Sequence, residues 1–288
     1  MSAIAAAAMA AGSREAVGDS PNLTVPAPAG PSSWVAPEGA TVLWDNGPVV
    51  TNPGGGFGGA DLSLLESTTL GMTTFGAANQ GNLTDGGNRM ADDFVIPAGE
   101  EWSIRSCTFY SYQTSSPTDP SPISAATLAI WDGAPEQPGS TMVFGDQLTD
   151  RLVDAPWANL FRAEEPAPTS NARAVFAVTV DVNAVLPEGT YFVDYAPVGS
   201  GAFSGPWAPP VTRTSQTTTG DALQRFGGTW QAFQDGGTLT ALGLPFICEG
   251  EVLVGVNPLE VPTSGHIGLG LLAVLLAAAA VVAMRRLV

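Results

Sequence analysis

Carboxylates are the only abundant side chains in this sequence that could carry acid–base chemistry. The chain has 27 Asp and Glu residues, one histidine and no lysine, and that histidine is His266, close to the C-terminus. Ser-His-Asp and Cys-His catalysis and His-ligated zinc are therefore excluded from the body, and so are Schiff-base and Ser-Lys mechanisms. Glycoside hydrolysis needs only two carboxyl groups, about 5–10 Å apart. The adjacent acid pairs are Asp92-Asp93, Glu100-Glu101 and Glu164-Glu165. Neighbours in a strand point to opposite faces, so an adjacent pair makes no dyad unless a second strand supplies a partner.

Three other groups of residues could bind or bond. Asp85-Gly86-Gly87-Asn88 followed by Asp92 is rich in oxygen around glycine, as a Ca²⁺ site requires, with Asp85, Asn88 and Asp92 as its ligands. Asx-turns explain the same residues without a metal, and no EF-hand glutamate follows at the twelfth position. Trp207, between prolines in Gly205–Pro210, and Trp230, after Gly227-Gly228, could stack on sugar rings if they are exposed. The competing reading is core and turn packing. Cys107 and Cys248 are the only cysteines. In an oxidising compartment they could form one disulfide, worth about 5 kcal/mol in the chain-entropy model; otherwise they are two buried thiols.

The elements that must position these residues read as strands. Gly (34) and Pro (24) are plentiful and charged residues make up only 13 %, so long amphipathic helices are not expected. Strand-like runs are Thr41–Trp44, Asp92–Ile96, Trp102–Tyr112, Ala125–Trp131, Thr141–Phe144, Asn159–Arg162, Ala174–Val182, Thr190–Tyr195, Ala222–Phe226, Thr229–Phe233 and Pro245–Val254. In Ala174–Val182, Val175, Ala177, Thr179 and Asp181 alternate with Phe176, Val178, Val180 and Val182, which predicts one buried and one wet face. Pro97-Ala98-Gly99, Pro187-Glu188-Gly189 and Gly227-Gly228 read as turns. The expected fold is all-β, a jelly-roll-like β-sandwich with a disordered N-terminal lead-in and a single C-terminal transmembrane helix.

The layout follows composition. Residues 1–12 read as a truncated signal peptide, with Ala8-Met9-Ala10 as its small-residue cleavage site. Residues 13–40 are a proline-rich lead-in, 41–256 the sandwich, 257–266 a spacer with a sorting motif, and 267–288 a transmembrane helix with a basic tail. The apolar run from Ile267 to Met284 is 18 residues, about 27 Å as a helix, and Arg285 and Arg286 close it on the cytoplasmic side. All ten cations are arginine, and eight of them face 27 acids ahead of that run, a net charge of −19. Such a surface repels nucleic acid and anionic lipid headgroups.

Val261, Pro262 and Thr263, then Gly268, the apolar run and the terminal pair Arg285-Arg286 resemble the C-terminal sorting signals of bacterial envelope proteins. The nearest type is the Ile-Pro-Thr-Leu kind, a relative of the Pro-Glu-Pro kind. Ser264 stands where leucine is usual, and His266 and Ile267 replace an acidic–tryptophan pair. The resemblance implies export and, in some members, cleavage by a membrane enzyme; a plain tail anchor is the alternative. Ala91–Gly99 with Cys107–Tyr112, Ala129–Gly133, Gly205–Pro210 and Leu244–Phe246 are similar to sandwich domains of exported proteins of this tail class, which implies fold and location but no activity.

The function expected from these readings is that of a non-catalytic, exported cell-envelope or extracellular-matrix protein with no cofactor. Its partners would be the export and C-terminal processing machinery, the membrane through the C-terminal helix, and extracellular polysaccharide, but not nucleic acid. A carbohydrate-binding module on the cell surface is the alternative, and a carboxylate-based glycosidase the third reading.

Overall fold

The computed structural model describes residues 41–253 and the backbone of residues 14–16. The fold is all-β: among the described residues the only helical segment is the 3₁₀ turn Phe57–Gly59. The strands are β1 (Arg14–Ala16), β2 (Thr41–Asp45), β3 (Asp61–Leu65), β4 (Thr74–Ala78), β5 (Arg89–Thr114), β6 (Ile123–Trp131) and β7 (Met142–Asp146). They continue with β8 (Leu152–Asp154), β9 (Trp157–Glu164), β10 (Ala174–Gly199), β11 (Ser204–Ala208), β12 (Leu223–Phe226), β13 (Thr229–Ala232) and β14 (Phe246–Leu253). One hydrogen-bonded path runs β1-β4-β11-β5-β10-β6-β7, with β14 and β12 also on β5 and with β8 and β9 on β10. Pairing is antiparallel except between β3 and β9.

The long strands β5 and β10 organise everything else. They pair from Val175↔Tyr112 to Tyr195↔Met90, with register breaks between Asp181 and Ala184 and between Pro187 and Gly189. Neither strand is straight. Phe94 and Trp102 stack with ring centroids 6.4 Å apart. Eight residues of straight strand would separate them by about 26 Å, so β5 turns a corner between them. Pro97-Ala98-Gly99 makes that corner: Gly99 has φ +82°, and its N–H donates to the Glu188 carboxylate across the bend. Beyond the corner the sheet curls onto itself. Phe109 pairs with Val178 and Tyr195 with Met90, far apart along the ladder, yet the Phe109 and Tyr195 rings stack at 4.0 Å. Phe246 of β14 extends the stack, 5.5 Å from Phe109.

These rings, with Phe75, Phe161, Phe176, Val178 and Val180, form the buried core. Two readings of the sequence change here. Asp92–Ile96 and Trp102–Tyr112 are two halves of one bent strand rather than separate strands, and the same holds for Ala174–Val182 and Thr190–Tyr195. In β10 the exposed residues run from Asp181 to Thr190, with Asp181, Asn183, Val185 and Pro187 alternating with buried Val182, Ala184 and Leu186; from Ala174 to Val180 both faces are covered. The expected transmembrane helix, sorting motif (Val261, Pro262, Thr263, Gly268, Arg285, Arg286) and signal segment lie outside the described residues. Among the described residues no helix is long and apolar enough to cross a membrane.

Candidate functional site

One group of acids comes together. Carboxylate oxygens of Asp92, Asp93 and Asp221 all lie within 4.8 Å of one another. Asp92 and Asp93 are neighbours in β5. Asp221 stands two residues before β12, whose antiparallel register on β5 (Leu223↔Ala91) carries it opposite Asp93. Successive strand residues face opposite sides, but the Asp92 side chain folds along its own strand, and Oδ1 accepts the N–H of Asp93 at 3.0 Å. That turn brings the two carboxylates within reach of each other.

Asp92 is almost fully buried. Its Oδ2 accepts Asn46 Nδ2 at 2.7 Å and the Leu244 N–H at 2.8 Å, tying β5 to the ends of β2 and β14. Asn46 is fixed in turn by Trp44 Nε1, which donates to its Oδ1 at 3.1 Å, and by its own donation to Leu244 O at 3.0 Å. Burial pushes the Asp92 carboxyl up to about 7, the nearby charges of Asp93 and Asp221 add to the rise, and the Leu244 and Asp93 amides oppose it. Asp93 is also raised, first by burial and then by Asp221. Chemically the trio can share a proton or face a hard cation with three carboxylates; Ca²⁺ takes six to eight oxygens, so such a site would need others.

The calcium ligands expected from the sequence are not gathered. Asp85 belongs to a turn in which its Oδ1 accepts Asn82 Nδ2 at 2.5 Å and the Gly87 N–H at 3.0 Å, and these bonds hold its carboxyl below the usual range. Asn88 donates to Gln80 Oε1 at 2.8 Å and accepts the Gly227 N–H at 3.3 Å. Asp92 engages neither residue. Local oxygen density was the signal that suggested the set, and Asx-turn bonds account for Asp85. Asp221, which does approach Asp92, is 129 positions away from it in the chain and carries no local signal.

Both tryptophans expected to stack on sugars lie in strands. Trp207 is not on a loop: it lies in β11, opposite Ala78 and Tyr112, and is 8 % exposed. Gly205 permits this, because a Cβ there would come within 2.5 Å of the Trp207 ring. Trp230 is half-buried in β13, opposite Arg225. Of the six described tryptophans, Trp102 and Trp207 are buried and Trp44, Trp131, Trp157 and Trp230 are half-buried; none falls in the exposed class.

Cys107 and Cys248 stand directly opposite each other on β5 and β14, both buried, and form a disulfide. A second buried feature was not foreseen from the sequence. Arg89 and Asp194, both fully buried, form an ion pair through Arg89 Nε. Arg89 also donates to Thr127 Oγ1 at 2.8 Å, Gly86 O at 3.3 Å and Asp194 O at 2.9 Å. Asp194 Oδ2 accepts Gln147 Nε2 at 2.8 Å and Trp131 Nε1 at 3.3 Å. This network joins β5, β10 and β6 and fixes the turn that holds Asp85. A small cavity lined by Leu64, Glu66, Met72, Arg162, Val211 and Thr212 is built from other residues than the acid trio. No protein-family model, no curated protein and no solved structure matches this chain.

Proposed function

We propose that this chain is a non-catalytic, exported component of the cell envelope or extracellular matrix. Its body would be a jelly-roll-like sandwich, directed or anchored by residues 257–288. The observation that carries the reading is the buried Cys107–Cys248 disulfide, which joins an early strand to the last one. Such bonds persist in oxidising compartments and are rare where glutathione keeps thiols reduced. The acidic, lysine-free composition suits a soluble exoprotein. The covered tryptophans weigh against a glycan-stacking platform, and the acid trio sits against β12 with one member deeply buried and hydrogen-bonded rather than across a substrate groove.

Thiol trapping tests the proposal. Cells of the native host are quenched in acid, alkylated and fractionated. Protein outside the cytoplasm with no alkylated cysteine is expected. A cytoplasmic pool as the main form, with both Cys107 and Cys248 alkylated, would overturn the reading.

A further inference from the structure

The end of β2 carries a chemically labile pair. Asn46-Gly47 is the only Asn-Gly in the sequence, and the fold calls for both residues. Gly47 has φ +117°, and a Cβ there would come within 3.0 Å of Arg213 Nη2 and 3.1 Å of Val211 Cγ1, so a side chain would be both strained and crowded. Asn46 pins β2 to its neighbours. Its backbone N–H donates to Phe246 O at 2.9 Å. Its side-chain Nδ2 donates to Asp92 Oδ2 of β5 and to Leu244 O just ahead of β14.

A side-chain amide and the next backbone nitrogen are close enough through the covalent chain to close a five-membered ring. Glycine leaves that nitrogen open to attack, because it has no side chain to screen it. Two contacts here favour the closure. The Gly47 N–H donates to Asp45 Oδ1 at 2.9 Å, so a carboxylate stands ready to take its proton. Trp44 Nε1 donates to Asn46 Oδ1 at 3.1 Å, the oxygen on which negative charge develops as the ring forms. Asp45 is exposed, and Asn46 and Gly47 are half-buried, so water reaches the pair.

We propose that Asn46-Gly47 is a self-modification site, where spontaneous deamidation releases the end of β2 from β5 and from the segment before β14. The Gly47 nitrogen adds to Asn46 Cγ as its proton passes to the Asp45 carboxylate. The Cγ–Nδ2 bond then breaks, and the nitrogen leaves as ammonia with a proton from solvent. Water opens the cyclic imide at either carbonyl, giving aspartate or isoaspartate at position 46. No oxidant, reductant or cofactor enters. The product has an acceptor where Nδ2 was a donor, and it faces two acceptors, Asp92 Oδ2 and Leu244 O. Strand β14 stays on β5 through the Cys107–Cys248 bond, so the loosening is confined to the β2 junction. The chemistry is intrinsic to the chain, so it goes beyond the proposed envelope role and does not depend on it.

The test ages the purified full chain at neutral pH and physiological temperature, for several half-lives of the same pair in a synthetic peptide of residues 41–50. Peptide mapping by mass spectrometry should find residue 46 heavier by one mass unit, and part of the product should accept a methyl group from an isoaspartyl methyltransferase. Asp45→Ala, at an exposed position, should slow the conversion several-fold. The aged protein, and separately Asn46→Asp, should show hydrogen exchange at the Leu244 amide faster by about tenfold, while the ladder amides between β5 and β10 keep their protection. Asn46 left intact in the aged protein, an Asp45→Ala variant that converts at the wild-type rate, or unchanged exchange at Leu244 after conversion would overturn the proposal.

Discussion

Replacing Asp194 by alanine should be among the most damaging single changes in this protein, and the cost can be worked from the contacts. Arg89 and Asp194 are both fully buried. The substitution removes the only carboxylate paired with Arg89 and leaves the guanidinium with Thr127 Oγ1, Gly86 O and the Asp194 backbone carbonyl. It also leaves Gln147 Nε2 and Trp131 Nε1 without their acceptor. Breaking a buried ion pair from one side costs about 3–5 kcal/mol, because a desolvated charge stays behind uncompensated. The two orphaned donors put the expected loss toward the upper part of that range. Removing both charges behaves differently. Arg89→Met with Asp194→Leu leaves no buried charge, and apolar replacements of buried pairs are often neutral or stabilising. The double variant should therefore be more stable than Asp194→Ala, with a coupling of about 2 kcal/mol or more. Urea unfolding followed by tryptophan fluorescence measures both. A loss under about 1 kcal/mol for Asp194→Ala, or strict additivity in the double variant, would refute the argument.

Further expectations concern the other buried acids and the tryptophans. Asp92 has a folded-state pKa of about 7 against an ordinary 3.8, so the folded state binds its proton more tightly. Its contribution is therefore present at the acid end and is lost as pH rises from about 4 to 7, by at most roughly 4 kcal/mol. Urea midpoints across that window should fall in the wild type and flatten in Asp92→Asn; a wild-type midpoint that rises would contradict the assignment. Asp235 is buried and accepts the N–H groups of Thr73, Thr74, Gly237 and Thr238 at 2.8–3.0 Å. Asp235→Ala should cost about 2–4 kcal/mol and expose the Thr73 and Thr74 amides to hydrogen exchange, with unchanged protection as the refuting result. Trp230→Ala should leave retention on a panel of immobilised polysaccharides as it was, since the side chain is half-buried in β13 opposite Arg225; a specific loss of retention would revive the glycan-binding reading.

The all-β class was legible because strand runs and turn residues recur throughout the sequence, and β5, β6, β10 and β14 lie where those runs are. Their joining was not. Pro97-Ala98-Gly99 signals a change of direction, but a hairpin turn and a corner within one strand share that signal, and the pairing of both halves with β10 separates them, together with the Phe94–Trp102 stack. Strand β4 went unread because Thr-Phe-Gly-Ala-Ala is poor in β-branched residues, and its burial comes from packing rather than propensity. The prolines and glycine around Trp207 carry a loop signal in the sequence. Gly205 instead makes room for the indole against the strand. An oxidising compartment was the only support the sequence offered for pairing Cys107 with Cys248 rather than leaving two buried thiols, and the β5–β14 register sets the two side by side. Asp221 could not be seen, because its approach to Asp93 depends on how β12 docks on β5.

The central claim is that the body works outside the cytoplasm as a structural component. The most direct test is the intact mass of the protein recovered from each fraction of its own host, measured with and without reduction. The account predicts an envelope, matrix or medium form that gains two mass units on reduction, as the Cys107–Cys248 bond requires. A predominantly cytoplasmic form whose mass does not change on reduction would contradict it.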